Sequence, residues 1–323
     1  MGYDIATWVQ VSAFLGSGLS MGFGAIGAAV GEGYTAGRAN EALSRNPGAT
    51  AEIFKNMLVG QAVAESAAIF ALVIAMILLF TKHHVDPLTI YILISSGLCM
   101  GVGAIGSGIG AGYPAGEACY GISRQPAISE QLTTTMLVGS AVTQTSAIYA
   151  LVTSLIMLYA DFYSRPFSPT WAAVLGAGFA AGIGAIGSGI GEGFVAKAGC
   201  EGVARQPLSR APVTNGMLLG MAVAETTAIY GLLIAVILLF KSFDPTASMA
   251  TCMALVSSGL CMGLGAIGPG IGEGATGEGA VRWMARAPEQ VAILTRSMLV
   301  GQAVSESTGI YSLVISLILI FVI

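Results

Sequence analysis

Three glutamates lie inside long apolar stretches of the chain. Glu65 lies in VAESAAIFALVIAMILLF (63–80), and Glu225 and Glu306 take the same place in two later stretches of similar sequence. A charged side chain at the centre of a membrane helix costs about 2.5–3.5 kcal/mol on insertion scales. Repetition of so unfavourable a residue indicates a function, and a carboxylate at this depth is suited to take up and release a cation or a proton.

A fourth copy of the stretch, AVTQTSAIYALVTSLIMLY (141–159), carries Gln144 in place of the carboxylate. The four positions are 79, 81 and 81 residues apart. A second set of carboxylates ends the Gly-rich motif that precedes three of the stretches, at Glu32, Glu192 and Glu273. The second copy again differs, because it has Ala111 at that position.

Each pair of carboxylates, such as Glu32 and Glu65, is placed symmetrically about a short polar turn. If the two flanking segments form an antiparallel helical hairpin, both carboxylates lie at one height, roughly 24 Å from the turn at 1.5 Å per residue. Two carboxylates so close in a low-dielectric medium cannot both be ionised without a cation. Two neutral arrangements remain: both hold protons, or one holds a proton while the other binds a monovalent cation such as Na⁺.

Hydroxyl groups next to the second carboxylate favour the cation, because hard cations prefer oxygen ligands. They belong to Ser66, Thr226, Thr227, Ser307 and Thr308. The alternative is that these hydroxyls form hydrogen bonds between helices, as membrane Ser and Thr often do. Tyr230 and Tyr311, five residues beyond a carboxylate, could donate a hydrogen bond to one, whereas the first copy has Phe70 there.

The composition indicates the elements that position these groups. The 323 residues are 55% hydrophobic and only 9% charged, against about 25% charged residues in soluble domains. The apolar stretches are continuous, which predicts membrane-spanning helices. A net charge of −4 without a basic cluster gives no indication of nucleic-acid binding, and the five cysteines lack metal-ligand spacing.

Eight such stretches form four repeats, at residues 1–82, 83–163, 164–243 and 244–323. In each repeat a Gly-rich helix is followed by a polar turn and a Gly-poor aliphatic helix. Two spans return the chain to its starting side, so the four hairpins share one orientation. The sequence predicts an all-α membrane protein of eight transmembrane helices arranged as four parallel helical hairpins.

The turns read SRNPG (44–48), SRQPA (123–127), ARQPL (204–208) and ARAPE (285–289). Ten of the thirteen Lys and Arg residues lie on the side of these turns and three on the other. By the positive-inside rule, the turns are cytoplasmic and both termini lie outside.

The Gly-rich helices carry motifs such as GFGAIGAAVGEG (22–33). Glycines at helical spacing let membrane helices approach closely, which predicts an inner layer of Gly-rich helices inside an outer aliphatic layer. The GxGxxG pattern within the motif is not expected to bind a nucleotide, because it lies in an apolar helix rather than between a strand and a helix.

This pattern resembles the proteolipid, or c-type rotor component, of rotary F-type ATP synthases. A Gly-rich helix, an R-Q-P turn and a second helix with one mid-membrane carboxylate define that family, and ESTGIYSLVISLILI (306–320) is a specific match. The resemblance covers essentially the whole chain, four times over. It implies a rotor ring that carries Na⁺ or H⁺ past the stator a subunit, with turns that contact the central stalk.

The resemblance also implies site residues. The carriers would be Glu65, Glu225 and Glu306, assisted by Glu32, Glu192 and Glu273 on the first helices. The implied ion ligands further include Ser66, Thr226, Ser307 and the backbone carbonyls of Val63, Val223 and Val304. The implied stalk contacts are Arg45, Asn46, Pro47, Arg124, Gln125, Pro126, Arg205, Gln206, Pro207, Arg286, Ala287 and Pro288.

Two features depart from the family pattern. Four hairpins are fused in one chain, as is better known for the related V-type proteolipids, and the second repeat lacks both carboxylates. We therefore expect three carriers per four hairpins, which lowers the number of ions per ATP. Three chains would form a twelve-hairpin ring. Glu117 lies about a turn and a half nearer the cytoplasm. It is expected at the membrane–water interface rather than as a substitute carrier.

The alternative hypothesis is a self-contained secondary transporter coupled to ions, although such proteins more often have inverted repeats and one central site. An intramembrane enzyme is a third hypothesis, for which the sequence offers no nucleophile–base set, zinc motif or P-loop. We expect a non-catalytic subunit without a cofactor, embedded in membrane lipids. Paired carboxylates with hydroxyls favour Na⁺ over H⁺ as the transported ion.

Overall fold

The computed structural model describes residues 4–245 and 248–322. Over these residues the chain is built from long helices joined by short connections. The helices are α1 (Ile5–Arg45), α2 (Thr50–Phe80), α3 (Pro87–Arg124), α4 (Ser129–Thr143), α5 (Thr145–Tyr159), α6 (Phe167–Arg205), α7 (Arg210–Ala224), α8 (Thr226–Phe240), α9 (Met249–Arg286) and α10 (Val291–Phe321).

The predicted all-α architecture of four hairpins is confirmed. Within residues 4–245 and 248–322, eight helical segments are long and apolar enough to cross a membrane, with α4–α5 and α7–α8 each forming one span. Each hairpin turn is a single 3-10 turn that begins at a proline: Pro47–Ala49, Pro126–Ile128, Pro207–Ser209 and Pro288–Gln290. The chain is therefore an integral, multi-pass membrane protein.

The four Gly-rich helices α1, α3, α6 and α9 stand side by side in chain order and form an inner layer. They are parallel, because residues in contact across them keep a nearly constant sequence separation. Thr35 donates a hydrogen bond to the carbonyl of Gly112, 77 residues on, and Ser95 donates one to Val174, 79 residues on. The inner layer therefore aligns equivalent positions of successive repeats.

Glycine is needed where these helices touch. A β-carbon on Gly31 would lie 2.1 Å from the carbonyl oxygen of Gly108, and one on Gly191 would lie 2.0 Å from that of Gly270. Such distances are far inside van der Waals contact, so only a hydrogen fits. The Gly-rich motifs thus permit backbone-to-backbone packing, as membrane interfaces of small residues do.

The aliphatic helices form an outer layer. The second helix of each of the first three hairpins packs against its own inner helix and also against the next one, so that α2 contacts both α1 and α3. Buried serines join the layers: Ser20 donates to the carbonyl of Ala71, and Ser154 donates to that of Ser96. This staggered packing places the outer helix of one hairpin next to the carboxylates of the following hairpin.

We expect Gly191→Val to destabilise the chain by about 3 kcal/mol or more, because the clash is with backbone that cannot rotate away. The measurement is thermal unfolding of the purified protein in detergent. Gly48→Ala is the matched control, since its nearest neighbour is the side-chain oxygen of Asn46 at 3.3 Å. Equal stability of the two variants would contradict the proposed role of the glycine contacts.

Candidate ion-binding sites between hairpins

The structure brings the two carboxylates of each hairpin together. Glu192 on α6 and Glu225, at the junction of α7 and α8, are close enough for their charges to interact. The same holds for Glu273 with Glu306. It also holds for Glu32 with Glu65. The symmetric placement about the turns therefore translates into three carboxylate pairs.

The inner carboxylates of the last two hairpins are fully buried and incompletely hydrogen-bonded. Glu192 and Glu273 are both 0% exposed. Ser188 donates to Oε1 of Glu192 at 2.8 Å, while Oε2 of Glu192 and both oxygens of Glu273 have no hydrogen-bond partner among the described residues. A buried, unpartnered carboxylate is strongly unfavourable, so these oxygens require a proton or a cation.

Tyrosines reach across from one hairpin to the next. The hydroxyl of Tyr149, in the second hairpin, donates to Oε1 of Glu225 in the third, and that of Tyr230, in the third, donates to Oε1 of Glu306 in the fourth. Tyr149 and Tyr230 therefore bond the carboxylate of the following hairpin rather than the side chain five residues before them.

A hydroxyl and a carbonyl precede the tyrosine position on the second membrane span of each hairpin. Thr145 donates to the carbonyl of Val142 at 2.7 Å, and Thr226 donates to that of Val223 at 2.8 Å. Ser66 with Val63 and Ser307 with Val304 repeat the arrangement at 2.6 and 2.7 Å. Because each hydroxyl hydrogen is already directed to a carbonyl, the hydroxyl oxygen keeps its lone pairs free for a cation.

The interface between the first two hairpins shows which backbone carbonyl faces the carboxylate position of the next hairpin. The side-chain amide of Gln144 donates to the carbonyl oxygen of Val63 at 3.3 Å. The carbonyl of one hairpin therefore points at the carboxylate position of the next. At this interface the carbonyl oxygen accepts a hydrogen bond from an amide N–H group instead of facing a carboxylate, and Phe70 offers no hydroxyl.

Within the described residues, two interfaces group candidate oxygen ligands. One joins Val142, Thr145 and Tyr149 of the second hairpin to Glu192 and Glu225 of the third. The other joins Val223, Thr226 and Tyr230 of the third hairpin to Glu273 and Glu306 of the fourth. Each set offers carboxylate, hydroxyl and carbonyl oxygens, which suit a hard monovalent cation or a proton.

The remaining predicted ligands lie at the first interface and at the two edges of the chain. Val63 and Ser66 lie at the neutral first interface, facing Gln144. Glu32 and Glu65 lie on one open edge of the chain, and Val304, Ser307 and Tyr311 lie on the opposite edge.

Three candidate ligands were not predicted from the sequence: Val142, Thr145 and Tyr149. They belong to the repeat without carboxylates, which offered no reason to expect ligands there. The position of Tyr149 within its repeat, equal to that of Tyr230, is the signal that could have found them.

Glu117 has a different environment from the carriers. It forms an ion pair with Arg38 at 2.9 Å, and Tyr34 donates to the same oxygen at 3.2 Å. This pair, in which Glu117 is buried, joins the first two hairpins.

The turn residues predicted to contact the stalk lie at the ends of the inner helices. The guanidinium-bearing residues Arg45, Arg124, Arg205 and Arg286 are all exposed there. His83 and His84 lie in the connection between the first two hairpins, and no cluster of three metal-ligating side chains occurs within residues 4–245 and 248–322.

Comparison with known proteins identifies similar sequences for every hairpin. A family model that describes the C subunit of ATP synthase matches residues 15–78, 94–157, 175–238 and 256–319. The K subunit of the A-type ATP synthase of Methanocaldococcus jannaschii is 33% identical over 225 residues, which cover 70% of this chain and 94% of that protein. The c-type ATP synthase subunit of Natranaerobius thermophilus is 55% identical over 71 residues, or 22% of this chain and 81% of that protein.

Proposed function

Because the chain belongs to the family of ATP synthase C subunits, we propose that it is the rotor-ring proteolipid of a rotary ATP synthase or ATPase. In this role it carries Na⁺ or H⁺ on mid-membrane glutamates past the stator a subunit. It acts as a non-catalytic, ion-translocating subunit, and hydrolysis or synthesis of ATP takes place elsewhere in the complex.

One observation carries the proposal: at two successive interfaces, a tyrosine of one hairpin bonds a carboxylate of the next hairpin that is paired with a fully buried carboxylate. Glu225 and Glu306 are the carriers at these interfaces, and Glu65 is the third. Each is only partly covered in the chain, whereas Glu192 and Glu273 behind them are fully buried. A carrier at the surface of the outer layer is placed to exchange its ion with a stator, while the inner carboxylate completes the site.

The oxygen donors favour Na⁺ as the transported ion. A proton needs one acceptor, whereas each site offers two carboxylates, a hydroxyl and a carbonyl. One carboxylate that keeps a proton and one that is ionised would hold a monovalent cation without net charge, which avoids a buried charge.

The first interface is neutral in this mechanism. The Gln144 amide and the Ser66 hydroxyl both donate to the Val63 carbonyl, so its oxygen has no lone pair left for a cation. The chain then carries three ions per four hairpins. Fewer ions per turn lower the number of ions per ATP, so the machine pumps against a steeper gradient. In synthesis it makes more ATP for each ion but needs a larger ion-motive force.

The assembly follows from the same proposal. About three copies would form a ring of twelve hairpins within the membrane lipids. The exposed arginine-bearing turns face the cytoplasm and the central stalk, and both termini face the other side, as the ten-to-three distribution of basic residues favours.

Carbodiimide labelling tests the function, because the reagent attacks protonated buried carboxylic acids. We expect Glu65, Glu225 and Glu306 in the purified rotor to be labelled in the absence of Na⁺ and protected by Na⁺ near neutral pH. Labelling that Na⁺ does not prevent would identify H⁺ as the ion. The complete absence of labelling at all three glutamates would reject the carrier function.

A further inference from the structure

We propose that Ser188 sets the Na⁺ affinity of the site in the third hairpin and makes it bind Na⁺ more tightly than the site in the fourth. Ser188 lies four residues before the inner carboxylate, and its counterpart in the fourth hairpin is Pro269. The inference rests on the proposed function and concerns the selectivity of the same sites. The carriers Glu225 and Glu306 are then unequal, although their outer halves are built alike.

The outer halves of the two sites match closely. Tyr149 donates to Oε1 of Glu225, and Tyr230 donates to Oε1 of Glu306. The hydroxyl–carbonyl pairs that precede the two tyrosines are 2.7 and 2.8 Å apart. The difference between the sites therefore lies at the inner carboxylates.

The inner carboxylates differ in one hydrogen bond. The hydroxyl of Ser188 donates to Oε1 of Glu192 at 2.8 Å, from one helical turn away. Pro269 has no hydroxyl and no backbone N–H group, and both side-chain oxygens of Glu273 have no hydrogen-bond partner among the described residues. Both carboxylates are 0% exposed, so surface water does not replace the missing bond.

Two polar side chains of α10 near this part of α9 direct their hydrogens to backbone carbonyls instead. The side-chain amide of Gln302 donates to the carbonyl of Gly220 at 2.9 Å and to the backbone carbonyl of Glu273 at 3.1 Å. Ser305 donates to the carbonyl of Pro269 at 3.3 Å. Neither side chain therefore takes the part that Ser188 plays in the third hairpin.

The other two hairpins lack the combination of hydroxyl and inner carboxylate. The first has an alanine, Ala28, at the equivalent position. The second has Ser107 but no inner carboxylate, and the hydroxyl of Ser107 pairs with that of Ser146 at 2.8 Å. Among the four equivalent positions, all of which the structure describes, Ser188 alone bonds an inner carboxylate.

The direction of the effect follows from the charge of the bound state. A hydroxyl that donates to a carboxylate oxygen stabilises the negative charge of the carboxylate. Na⁺ binding requires that charge, whereas a site that holds two protons and no cation is neutral at both carboxyl groups and gains less from the donor. Ser188 therefore favours the Na⁺-bound form of its site, and at low Na⁺ the third hairpin is loaded before the fourth.

Ser188→Ala tests the inference, with the fourth hairpin of the same chain as an internal reference. In the assembled rotor at fixed pH, residue-resolved carbodiimide labelling gives the Na⁺ concentration that half-protects each glutamate. In the native rotor this concentration should be about tenfold lower for Glu225 than for Glu306, as a hydrogen bond to a charged group would produce. Ser188→Ala should raise it about tenfold at Glu225 and leave Glu306 unchanged. Ser107→Ala is the matched control and should shift neither, because that hydroxyl bonds Ser146.

Pro269→Ser is the converse test. The new hydroxyl can donate to Glu273 from the position that Ser188 holds in the third hairpin, and serine is compatible with an α-helix. The half-protecting Na⁺ concentration should fall about tenfold at Glu306 and stay unchanged at Glu225. This variant also decides the question if Ser188→Ala does not yield an assembled rotor.

Equal half-protecting concentrations at Glu225 and Glu306 in the native rotor would overturn the inference while leaving the carrier function intact. A shift of both glutamates alike in Ser188→Ala would overturn it too, because it would reveal a general change in the rotor. Labelling that Na⁺ does not prevent would reject the inference and identify H⁺ as the ion. If no carrier glutamate is labelled, the proposed function itself fails, so the two failures are distinguishable in one experiment.

Discussion

Glu225→Gln is expected to reduce ion-coupled ATP hydrolysis much more than Glu306→Gln, although each variant keeps two carriers per chain. The difference comes from the order of hairpins around the ring. In the proposed rotor, carriers lie on the first, third and fourth hairpins, so each chain contributes one gap of two steps. Glu306→Gln leaves carriers on the first and third hairpins, and no gap becomes longer than the native one.

Glu225→Gln leaves carriers on the first and fourth hairpins, with a gap of three steps between them. Over that gap the rotor turns past the stator without exchanging an ion. It must therefore rotate through a larger angle between two successive ion exchanges. An added barrier of about 1.4 kcal/mol would lower the rate tenfold. We expect roughly that loss in Glu225→Gln, and a decrease in Glu306→Gln of about the fraction of carriers removed.

Glutamine is the appropriate replacement because Gln144 shows how it is accommodated. The amide of Gln144 bonds the carbonyl of Val63 on the preceding hairpin, and the amide in each variant can bond Val142 or Val223 in the same way. Packing should therefore be preserved. The measurement is Na⁺- or H⁺-dependent ATP hydrolysis by the assembled complex, with Glu65→Gln as a third variant that also creates a three-step gap.

Equal losses in all three variants would contradict the proposed order of carriers around the ring. A normal rate in each would show that none of the glutamates limits rotation. The comparison is informative because the three proteins differ only in which interface has lost its charge.

Sequence periodicity was sufficient to predict the hairpins and their shared orientation. Glycine is unfavourable in a helix, so its density in alternate segments predicts close packing before any contact is known. The pairing of Glu192 with Glu225 also follows from the sequence, because antiparallel segments about a short turn align residues that are equidistant from it.

The sequence alone did not reveal which hairpin completes each site. Tyr230 lies five residues after Glu225, and local spacing associates those two residues. In the structure Tyr230 instead bonds Glu306, 76 residues away, because the outer helix lies between two inner helices. Tyr149 was missed for the same reason, since its carboxylate belongs to the following repeat.

Restoring a fourth carrier is the second large effect expected. In Gln144→Glu with Phe70→Tyr, the neutral interface acquires a carboxylate and the tyrosine that serves it. The hydroxyl of Ser66 and the carbonyl of Val63 are already there and already bonded to each other at 2.6 Å. Ala111, which is fully buried, is retained, so that one carboxylate and one tyrosine hydroxyl are the only groups added.

The double variant should carry four ions per four hairpins instead of three, so that at a fixed free energy of ATP hydrolysis it stops pumping at three quarters of the native ion-motive force. The measurement is the limiting ion gradient formed by the complex in vesicles, together with carbodiimide labelling at position 144. Phe70→Tyr alone is the control and should leave the limit unchanged. Gln144→Glu alone should bind its ion about tenfold more weakly than the double variant, because the carboxylate lacks its hydrogen-bond donor.

A labelled carboxylate at position 144 with an unchanged limiting gradient would mean that this interface does not pass the stator as the other three do. An unlabelled one would mean that the first interface excludes ions for reasons beyond Phe70 and Gln144. The expected result, a lower limit reached only when both residues are changed, would place the control of the ion-to-ATP ratio in a single pair of side chains on neighbouring hairpins.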